Sequence, residues 1–414
     1  MRASLPLTGR SRDDLRAHMQ SLRADDINWR DGRAAQYMFK ATDDVMAVGS
    51  EAFMEFFNEN TLGARRAFGS VRHMEEEVIE MGLSLFHAPG SSLGFMTSGG
   101  SESIILAVKA CRDWVRRQTG RNDHRGNIVV PHSVHPAFNK AAELMDLELR
   151  RIPLANNYRA DIAAMARAID GDTVMLVGSA PCFSYGTFDP ISELGRLAIE
   201  HDVWLHVDAC IGGYLAPFVK ELGYAVPEFD FGVPGVTSLS ADLHKFGYCP
   251  KPASTVFYRN NSQAARQPFE TTDWPGGRFE NSTIVGTRPA GAVAGAWSTL
   301  NYLGRQGYLE LAKELMNLVA AYKTGIEAIG LRILGQPELS IISFTSDEVD
   351  MHRVAEVMGT GGWLSGLVRT PKALQLLLSM LHSSAREDYL RDLCAALDKV
   401  RGEPGGVSTI EVAY

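Results

Sequence analysis

Short apolar runs alternate with helical stretches from about residue 94 to residue 258, and this alternation limits the possible folds more than any other feature. The runs with the length and composition of buried strands are residues 127–131, 173–178, 203–208, 236–239 and 254–258. Helical periodicity begins near Ser101, Pro136 and Pro190. Strands that alternate with helices predict an α/β fold with a mostly parallel sheet covered on both faces. In such a sheet, ligands bind outside the carboxyl ends of the strands.

The segment of residues 240–248 (SADLHKFGY) places Lys245 just beyond one of these predicted strands. A lysine in this position has a specific chemical use, because its amine can form an imine with a carbonyl such as that of pyridoxal phosphate. A solvated loop lysine is the common alternative. The segment alone does not separate the two, so the choice depends on other groups that the cofactor needs.

Two other predicted strand ends supply such groups. Asp208 closes the run of residues 203–208, where a carboxylate can keep a pyridine nitrogen protonated and make the ring an electron sink. The turn of residues 98–101 contains Gly99, Gly100 and Ser101 directly before a predicted helix. Small residues at a helix start let backbone N–H groups close around a phosphate, which the helix dipole also favours.

Two histidines complete the set. His135 follows a strand and can stack on the cofactor ring, and His244 can donate a hydrogen bond to the phosphate. Each part has an ordinary alternative, since Asp208 could cap a helix, the glycines could form a plain turn and His135 could be a surface histidine. Their occurrence together after successive strands favours a pyridoxal phosphate site.

The composition restricts the class of protein and its compartment. The chain has 414 residues, 45% hydrophobic and 22% charged, which is typical of a globular protein with one large and one smaller domain. The net charge of -8 argues against a nucleic-acid partner. Five widely spaced cysteines indicate a reducing compartment and no metal site. We find no signal peptide and no run long enough to span a bilayer, so we expect a cytoplasmic protein without a transmembrane segment.

The chain is expected to divide into three parts. Residues 1–60 form an N-terminal helical segment, residues 61–300 a large cofactor-binding domain, and residues 301–414 a small C-terminal α/β domain. The last part follows a change of texture near residue 289 and a long helix to about Gly330. Its predicted elements are strands at residues 331–334, 341–344 and 374–379 and a final helix at residues 385–400.

Three motifs resemble those of a known family. TSGGSES (residues 97–103), HVDACIGGY (206–214) and SADLHKFGY (240–248) are similar to the motifs of fold-type-I pyridoxal-phosphate enzymes of the group II decarboxylase superfamily. Within it, the chain resembles the bacterial-type sphingosine-1-phosphate lyase family from about residue 30 onward, including MGTGGWLSGL at residues 358–367. The resemblance implies a fold-type-I transferase fold, in which the large domain has a seven-stranded type of sheet. It also implies a homodimer with shared active sites.

The resemblance implies further site residues. Gly286 and Thr287 match the family segment that reaches the cofactor phosphate of the partner subunit. Tyr37, Asn60 and Lys251 match positions that hold the phosphate headgroup of the substrate in the family.

One position departs from the family pattern. The family has a histidine where this chain has Gly63, and that histidine helps with the substrate phosphate. Arg65 or Arg66 could replace its charge, but an arginine could not act as a base. The departure therefore concerns the substrate more than the reaction class.

The expected reaction is retro-aldol cleavage of a phosphorylated long-chain 2-amino-3-alcohol, similar to sphingosine 1-phosphate, to an aldehyde and phosphoethanolamine. One alternative is an amino-acid decarboxylase or a small β-hydroxy-amino-acid aldolase on the same scaffold, which Gly63 favours. A cofactor-binding protein without activity is a second alternative, against which the intact Lys245 and Asp208 argue.

Overall fold

A seven-stranded sheet forms the centre of the protein, whose computed structural model describes residues 2–403, 406 and 408–412. Its strands are β1 (Leu93–Thr97), β2 (Asn127–Pro131), β3 (Glu148–Ile152), β4 (Thr173–Ser179), β5 (Trp204–Asp208), β6 (Val236–Ala241) and β7 (Ser254–Tyr258). They lie in the order β1-β7-β6-β5-β4-β2-β3. β7 is antiparallel to β1 and β6, and the other neighbouring pairs are parallel. The expected α/β fold with a mostly parallel sheet is confirmed.

Helices cover both faces of this sheet. The helices of the protein are α1 (Arg12–Leu22), α2 (Asp43–Glu55), α3 (Gly69–Leu85), α4 (Gly100–Thr119), α5 (Ala137–Met145), α6 (Ile162–Ala168), α7 (Ile191–Glu200), α8 (Ala216–Glu221), α9 (Asn261–Ala264), α10 (Gly291–Ala328), α11 (Met351–Thr360) and α12 (Arg386–Gly402). In β2, Ile128 and Val130 pack in the core formed with α4 and α5, whereas Val129 packs in the core formed with α3, α7 and α10. This alternation is the two-residue period of a strand that is buried on both sides.

A smaller sheet follows the large one along the chain. After a short hairpin of β8 (Phe269–Thr271) and β9 (Phe279–Asn281), the chain forms β10 (Arg332–Ile333), β11 (Ile341–Thr345), β12 (Gly366–Val368) and β13 (Ala373–Leu377). The last four strands lie in the order β10-β11-β13-β12, and each neighbouring pair is antiparallel. α10 contacts α3 and α8 and then reaches β10 and α12. The division of the chain at residues 60 and 300 stays a prediction, and α10 passes through residue 300.

The N-terminal segment packs against the smaller sheet. Ala34 forms a β-bridge with Leu364, and the backbone N–H of Leu377 donates to the carbonyl of Ala35 at 2.9 Å. α1 begins after Ser11, whose hydroxyl accepts a hydrogen bond from the N–H of Asp14, as its capping sequence predicts. Within the described residues, no helix is long and apolar enough to cross a membrane.

Four strands are absent from the sequence prediction. β3, β8, β9 and β12 carry no apolar run of the kind that predicted the central strands. β3 has the sequence ELRRI and lies at the edge of the large sheet, where charged side chains remain in contact with solvent. Its strand character therefore comes from pairing with β2 and not from its own pattern.

Candidate active site

A cavity of about 400 Å³ lies beyond the carboxyl ends of β4, β5 and β6. Its volume is in the range of small-molecule sites. Most of the predicted cofactor residues line it, together with one of the predicted substrate residues: Tyr37, Gly99, Gly100, Ser101, His135, Asp208, His244 and Lys245. The position agrees with the rule that parallel sheets bind ligands at this edge.

Lys245 and Asp242 form a buried ion pair at the floor of the cavity. The Nζ of Lys245 lies 2.9 Å from Oδ2 of Asp242, and the Asp242 side chain is only 2% exposed. Burial is the largest single influence and would lower the pKa of Lys245, but the charges of Asp242, Cys210 and Asp208 and the hydrogen bond to Asp242 together raise that pKa above its ordinary value. Burial acts oppositely on Asp242, whose pKa is nevertheless lowered because Lys245 and His244 face it.

The sequence prediction missed Asp242. It directly follows β6 and stands three residues before Lys245, so the two side chains share one tight turn. The available signal was this spacing of an acid and a lysine just beyond a strand.

Asp208 is the last residue of β5 and lies beside Ser179 of β4 and Ser240 of β6 in register. Its side chain is buried, and Oδ1 accepts a hydrogen bond from the N–H of Cys210 at 3.1 Å. The strand fixes the backbone and the following turn fixes the carboxylate. Asp208 therefore presents a held carboxylate to the cavity.

The N-terminus of α4 points its first turn at the same cavity. No side chain among the described residues caps α4, which leaves backbone N–H groups available for an anion. A Cβ on Gly100 would lie 2.8 Å from both Oδ2 of Asp242 and Sγ of Cys210. Glycine at this position is therefore what allows the helix start to approach the floor so closely.

Glu102 links the α4 turn to a distant loop and was also missed by the sequence prediction. One carboxylate oxygen accepts hydrogen bonds from the N–H and the hydroxyl of Ser98, each at 2.7 Å. The other accepts from the N–H groups of Ile284 at 2.8 Å and Val285 at 3.4 Å. An acidic residue in the first turn of a helix was the available signal.

Both cavity histidines accept a backbone hydrogen bond on Nδ1. Nδ1 of His135 accepts from the N–H of Ala137 at 3.1 Å, and Nδ1 of His244 accepts from the N–H of Ala253 at 3.1 Å. Burial lowers the pKa of His135 against the opposing charge of Asp208. Burial likewise lowers the pKa of His244 against that of Asp242. Each ring keeps its proton on Nε2 when the other nitrogen accepts.

Lys251 lies at the side of the cavity. Its Nζ donates to the carbonyl of Tyr37 at 2.9 Å. Lys251 lines a neighbouring cavity of about 190 Å³, and that cavity shares Phe39 and His244 with the first. Burial, followed by the charge of Lys245, lowers the pKa of Lys251.

The structure does not bring Asn60, Gly286 and Thr287 into the cavity of their own chain. Asn60 donates through Nδ2 to the hydroxyl of Thr287 at 3.2 Å and accepts from the N–H of Leu62 at 3.0 Å. Gly286 lines a separate cavity beside α4. These three residues therefore form one group, whose role stays a prediction.

A Cβ at position 63 would lie 3.1 Å from the ring of Phe68, and no other side chain or backbone of the described residues would lie within 4 Å of it apart from its chain neighbours and the backbone of its own turn. Arg65 pairs with Glu280 at 3.2 Å, so its guanidinium faces that carboxylate.

The residues around the cavity fit pyridoxal phosphate. An amine, a held carboxylate and an uncapped helix start face one another across a space of ligand size. Within the described part of the chain, no group of three or more His, Cys, Asp or Glu side chains has an arrangement suited to a metal ion.

Comparisons with known proteins agree with this geometry. The family described as "Pyridoxal-dependent decarboxylase conserved domain" matches residues 19–346. A sphingosine-1-phosphate lyase of Oryza sativa subsp. japonica is 38% identical over 99% of this chain and 76% of its own length. One from Arabidopsis thaliana is 40% identical over 82% of this chain, which spans 63% of that relative. The structure of a Burkholderia pseudomallei K96243 sphingosine-1-phosphate lyase superposes with a TM-score of 0.92 at 35% identity, covering 97% of this chain and 94% of that one.

Proposed function

The chain belongs to the pyridoxal-dependent decarboxylase family and, within it, to the sphingosine-1-phosphate lyase family, and on this premise we propose a carbon–carbon cleavage reaction. It is a pyridoxal-phosphate-dependent lyase. The proposed substrate is a phosphorylated long-chain 2-amino-3-alcohol similar to sphingosine 1-phosphate. The products are a long-chain aldehyde and phosphoethanolamine. The observation that carries the proposal is the convergence of Lys245, Asp208 and the start of α4 on one cavity.

Five groups of this chain would hold the cofactor. Lys245 would bind its carbonyl carbon, Asp208 its pyridine nitrogen, the backbone of residues 99–101 its phosphate, His244 the phosphate through Nε2–H, and His135 the ring face. When bound, pyridoxal phosphate supplies an electron sink for the bond that breaks. Asp208 sustains that sink because its carboxylate favours a protonated ring nitrogen.

Lys245 then acts as a proton carrier. With its amine free, Lys245 would be held in the protonated form by Asp242, whose Oδ2 lies 2.9 Å from Nζ. A protonated Nζ in this cavity would be a general acid able to supply the proton that C2 of the substrate gains in the overall cleavage. Asp242 therefore positions and charges the acid.

The headgroup of the substrate would bind beside Lys251 and Tyr37. The Lys251 ammonium is fixed on the Tyr37 carbonyl, next to the small cavity that adjoins the cofactor cavity. An ammonium held beside the cofactor cavity is a suitable partner for the phosphate of such a substrate. Asn60 is proposed to contribute as in the family, through the shared site described below.

Incubation of the purified holoprotein with sphingosine 1-phosphate tests the reaction. We expect equal amounts of long-chain aldehyde and phosphoethanolamine, measured by mass spectrometry, and no product from Lys245→Ala. Unphosphorylated sphingosine serves as the matched substrate, and its turnover should depend less on Lys251→Met than that of the phosphorylated substrate. Absence of aldehyde with a fully loaded cofactor would rule out this reaction.

A second candidate is an amino-acid decarboxylase or a small β-hydroxy-amino-acid aldolase. The description of the matching family and Gly63 in place of the family histidine favour it. Carbon dioxide from common amino acids, or benzaldehyde from phenylserine, would identify it in the same assay.

The proposed assembly is a homodimer with shared active sites. The loop that contains Gly286 and Thr287 is anchored by Glu102 at the start of α4, and its residues Ile284 and Val285 are 56% and 42% exposed. Apolar side chains exposed beside a ligand site are typical of a surface that another subunit covers. We also propose a cytoplasmic location, because five free thiols suit a reducing compartment; fractionation of the source cells tests it.

A further inference from the structure

A second and larger cavity lies between α3, α8 and α10. It has a volume of about 850 Å³, and residues of all three helices line it. None of the described residues that line it also lines the candidate active site. Its volume lies within the range of sites that bind small organic ligands.

The floor of this cavity is aromatic and aliphatic. Tyr214, Phe218, Phe229, Leu300 and Tyr308 line it, and each is less than a tenth exposed. The rings of Phe218 and Tyr308 stack with centroids 4.9 Å apart. The Tyr308 hydroxyl donates to the carbonyl of Gly247 at 2.7 Å, and that of Tyr214 bonds the Thr255 hydroxyl at 3.1 Å. Because both hydroxyls are engaged elsewhere, the floor offers mainly ring surface to a ligand.

Two ion pairs and one histidine–carboxylate contact surround this floor. Arg305 pairs with Glu221 at 2.7 Å, and Lys220 pairs with Glu228. Nδ1 of His87 lies 2.8 Å from Oδ2 of Asp230.

The rim of the cavity also has a carboxylate that belongs to none of these pairs. Within the described residues, Glu80 of α3 lines the cavity and forms no ion pair. The rim therefore carries an excess of negative charge above an apolar floor, and such a cavity attracts a ligand of the opposite sign.

We propose that this cavity binds a cationic amphiphile. An alkyl chain occupies the aromatic floor, and an ammonium group lies at Glu80. The chemistry is that of a long-chain amine, and the site shares no lining residue with the candidate active site among the described residues.

Occupancy of this cavity should reach the cofactor site through α10. The non-helical residue Gly304 (φ 54°) interrupts α10 beside the cavity, and Tyr308 one turn later holds the Gly247 carbonyl two residues beyond Lys245. A ligand whose alkyl chain packs on the Tyr308 ring therefore contacts a side chain that is hydrogen-bonded to the loop that carries Lys245. Binding is expected to shift the visible absorbance band of the bound cofactor, and an unchanged band at saturation would refute this coupling.

Calorimetric titration of the holoprotein with tetradecyltrimethylammonium, kept monomeric, tests the site. A quaternary ammonium has no N–H and cannot condense with a carbonyl, so the probe does not react in the cofactor site. We expect one saturable site per chain. We expect Glu80→Gln to bind roughly two- to fivefold more weakly, as for a partly exposed ion pair. Ser84→Trp fills the cavity and should weaken binding by roughly tenfold or more.

Two matched variants and one matched ligand serve as controls. Glu76→Gln and Ser70→Trp change exposed positions of α3 outside the cavity and should bind as the unchanged protein does. Tetradecyl sulfate has the same chain with an anionic head and should bind more weakly than the cation. Equal binding of the two amphiphiles, no saturable binding, or binding unaffected by both Glu80→Gln and Ser84→Trp would overturn the proposal.

Discussion

In the proposed reaction, Lys245 has two tasks that need different charge states. An amine attacks a carbonyl only when it is neutral, whereas a proton donor must be charged. Asp242, 2.9 Å from Nζ, favours the charged form and thereby the second task. Asp242 therefore disfavours the neutral amine that capture of the cofactor requires.

Asp242→Asn should therefore capture pyridoxal phosphate at lower pH. Loss of the negative charge lowers the pKa of Lys245, so the pH midpoint for covalent capture by the apoprotein should fall by on the order of one unit. Borohydride trapping followed by mass spectrometry of the Lys245 peptide measures the midpoint. Asp25→Asn, at an exposed position, is the control and should leave it in place. An unchanged midpoint in Asp242→Asn would contradict the assigned role of the pair.

The buried ring of His206 is expected to make the free energy of unfolding decrease at acidic pH. Its ring is fully buried in β5, where Nδ1 lies 2.7 Å from the hydroxyl of Ser238 and Nε2 lies 3.2 Å from that of Ser240. Burial lowers the pKa of His206 from 6.5 to about 4. As the pH falls from 6.5 towards 4, His206 becomes protonated in the unfolded chain but stays neutral in the folded protein. The free energy of unfolding therefore decreases.

We expect His206→Gln to remove this dependence. The wild type should lose on the order of 3 kcal/mol from this residue between pH 7 and pH 4, so its advantage over the variant shrinks as the pH falls. Urea unfolding at pH 7, 6 and 5 measures the difference. His18→Gln, at an exposed position of α1, should instead run parallel to the wild type. A constant difference between wild type and His206→Gln would show that His206 does not titrate in this way.

Single residues were predictable where a strand end and a known chemical need coincide. Asp208 and Lys245 meet that condition and line one cavity. Asp242 and Glu102 do not, because an acid next to a phosphate site has no evident use until its partners are known. Those partners are Lys245, Ser98 and the loop at Ile284, and the last is far away in the sequence.

Among the secondary-structure elements, α4 depends on a contact that its own sequence does not reveal. Glu102 is 7% exposed and joins the turn before α4 to the loop at residues 284–285. Without the carboxylate, the N–H groups of Ser98 and Ile284 lose their partner at a partly buried position. Such a loss costs about 1 to 3 kcal/mol.

Glu102→Ala should weaken binding of pyridoxal phosphate. If the turn before α4 loses its geometry, the lost hydrogen bonds should weaken the affinity for pyridoxal phosphate by roughly five- to one-hundredfold. Equilibrium dialysis with the apoprotein measures it, and Glu102→Gln, which keeps one acceptor oxygen, should lie between. Glu143→Ala on the exposed side of α5 is the control. Unchanged affinity in Glu102→Ala would mean that the turn is fixed by α4 alone.

Helices and strands were predictable where the pattern of their own residues determines their structure. The runs of β2, β4 and β5 are apolar because the strands are buried on both faces, so pattern and structure agree. The sequence also predicts a long helix that ends near Gly330 and follows an apolar segment at residues 289–304, whereas the structure joins both into α10, which is kinked at Gly304. A single glycine does not reveal whether a helix ends or bends, since packing on α2 and α3 decides this.

At the scale of the whole molecule, the structure of a single chain gives the loop at residues 284–288 no role in its own active-site cavity. It is held at the start of α4, yet Gly286 and Thr287 do not line the cavity of their own chain. Asn60 accompanies them through its bond to Thr287. No pattern within a single chain indicates a site shared between two chains, and the expectation came from family resemblance alone. A site completed by a second subunit gives this group a use.

Mixing two inactive variants separates the shared site from a self-contained one. Lys245→Ala lacks the lysine that is proposed to bind the cofactor, and Thr287→Asp places a carboxylate where the proposal has a phosphate bound. If Thr287 acts in the partner's site, a mixed dimer has one site with an intact Lys245 and an intact Thr287. Refolding the two variants together should then restore roughly a quarter of the wild-type activity, because half of the dimers are mixed and each has one intact site.

A site contained within one chain predicts a different outcome. Every chain of the mixture then carries a damaged site of its own, so no activity returns at any ratio. Light scattering of the same mixture gives the mass of the assembly and separates the two ways in which the test can fail. A monomer would refute the dimer itself, whereas an inactive mixed dimer would refute only the role of Thr287. Restored activity that rises and falls with the mixing ratio, with its maximum at equal amounts, is the result that the shared site requires.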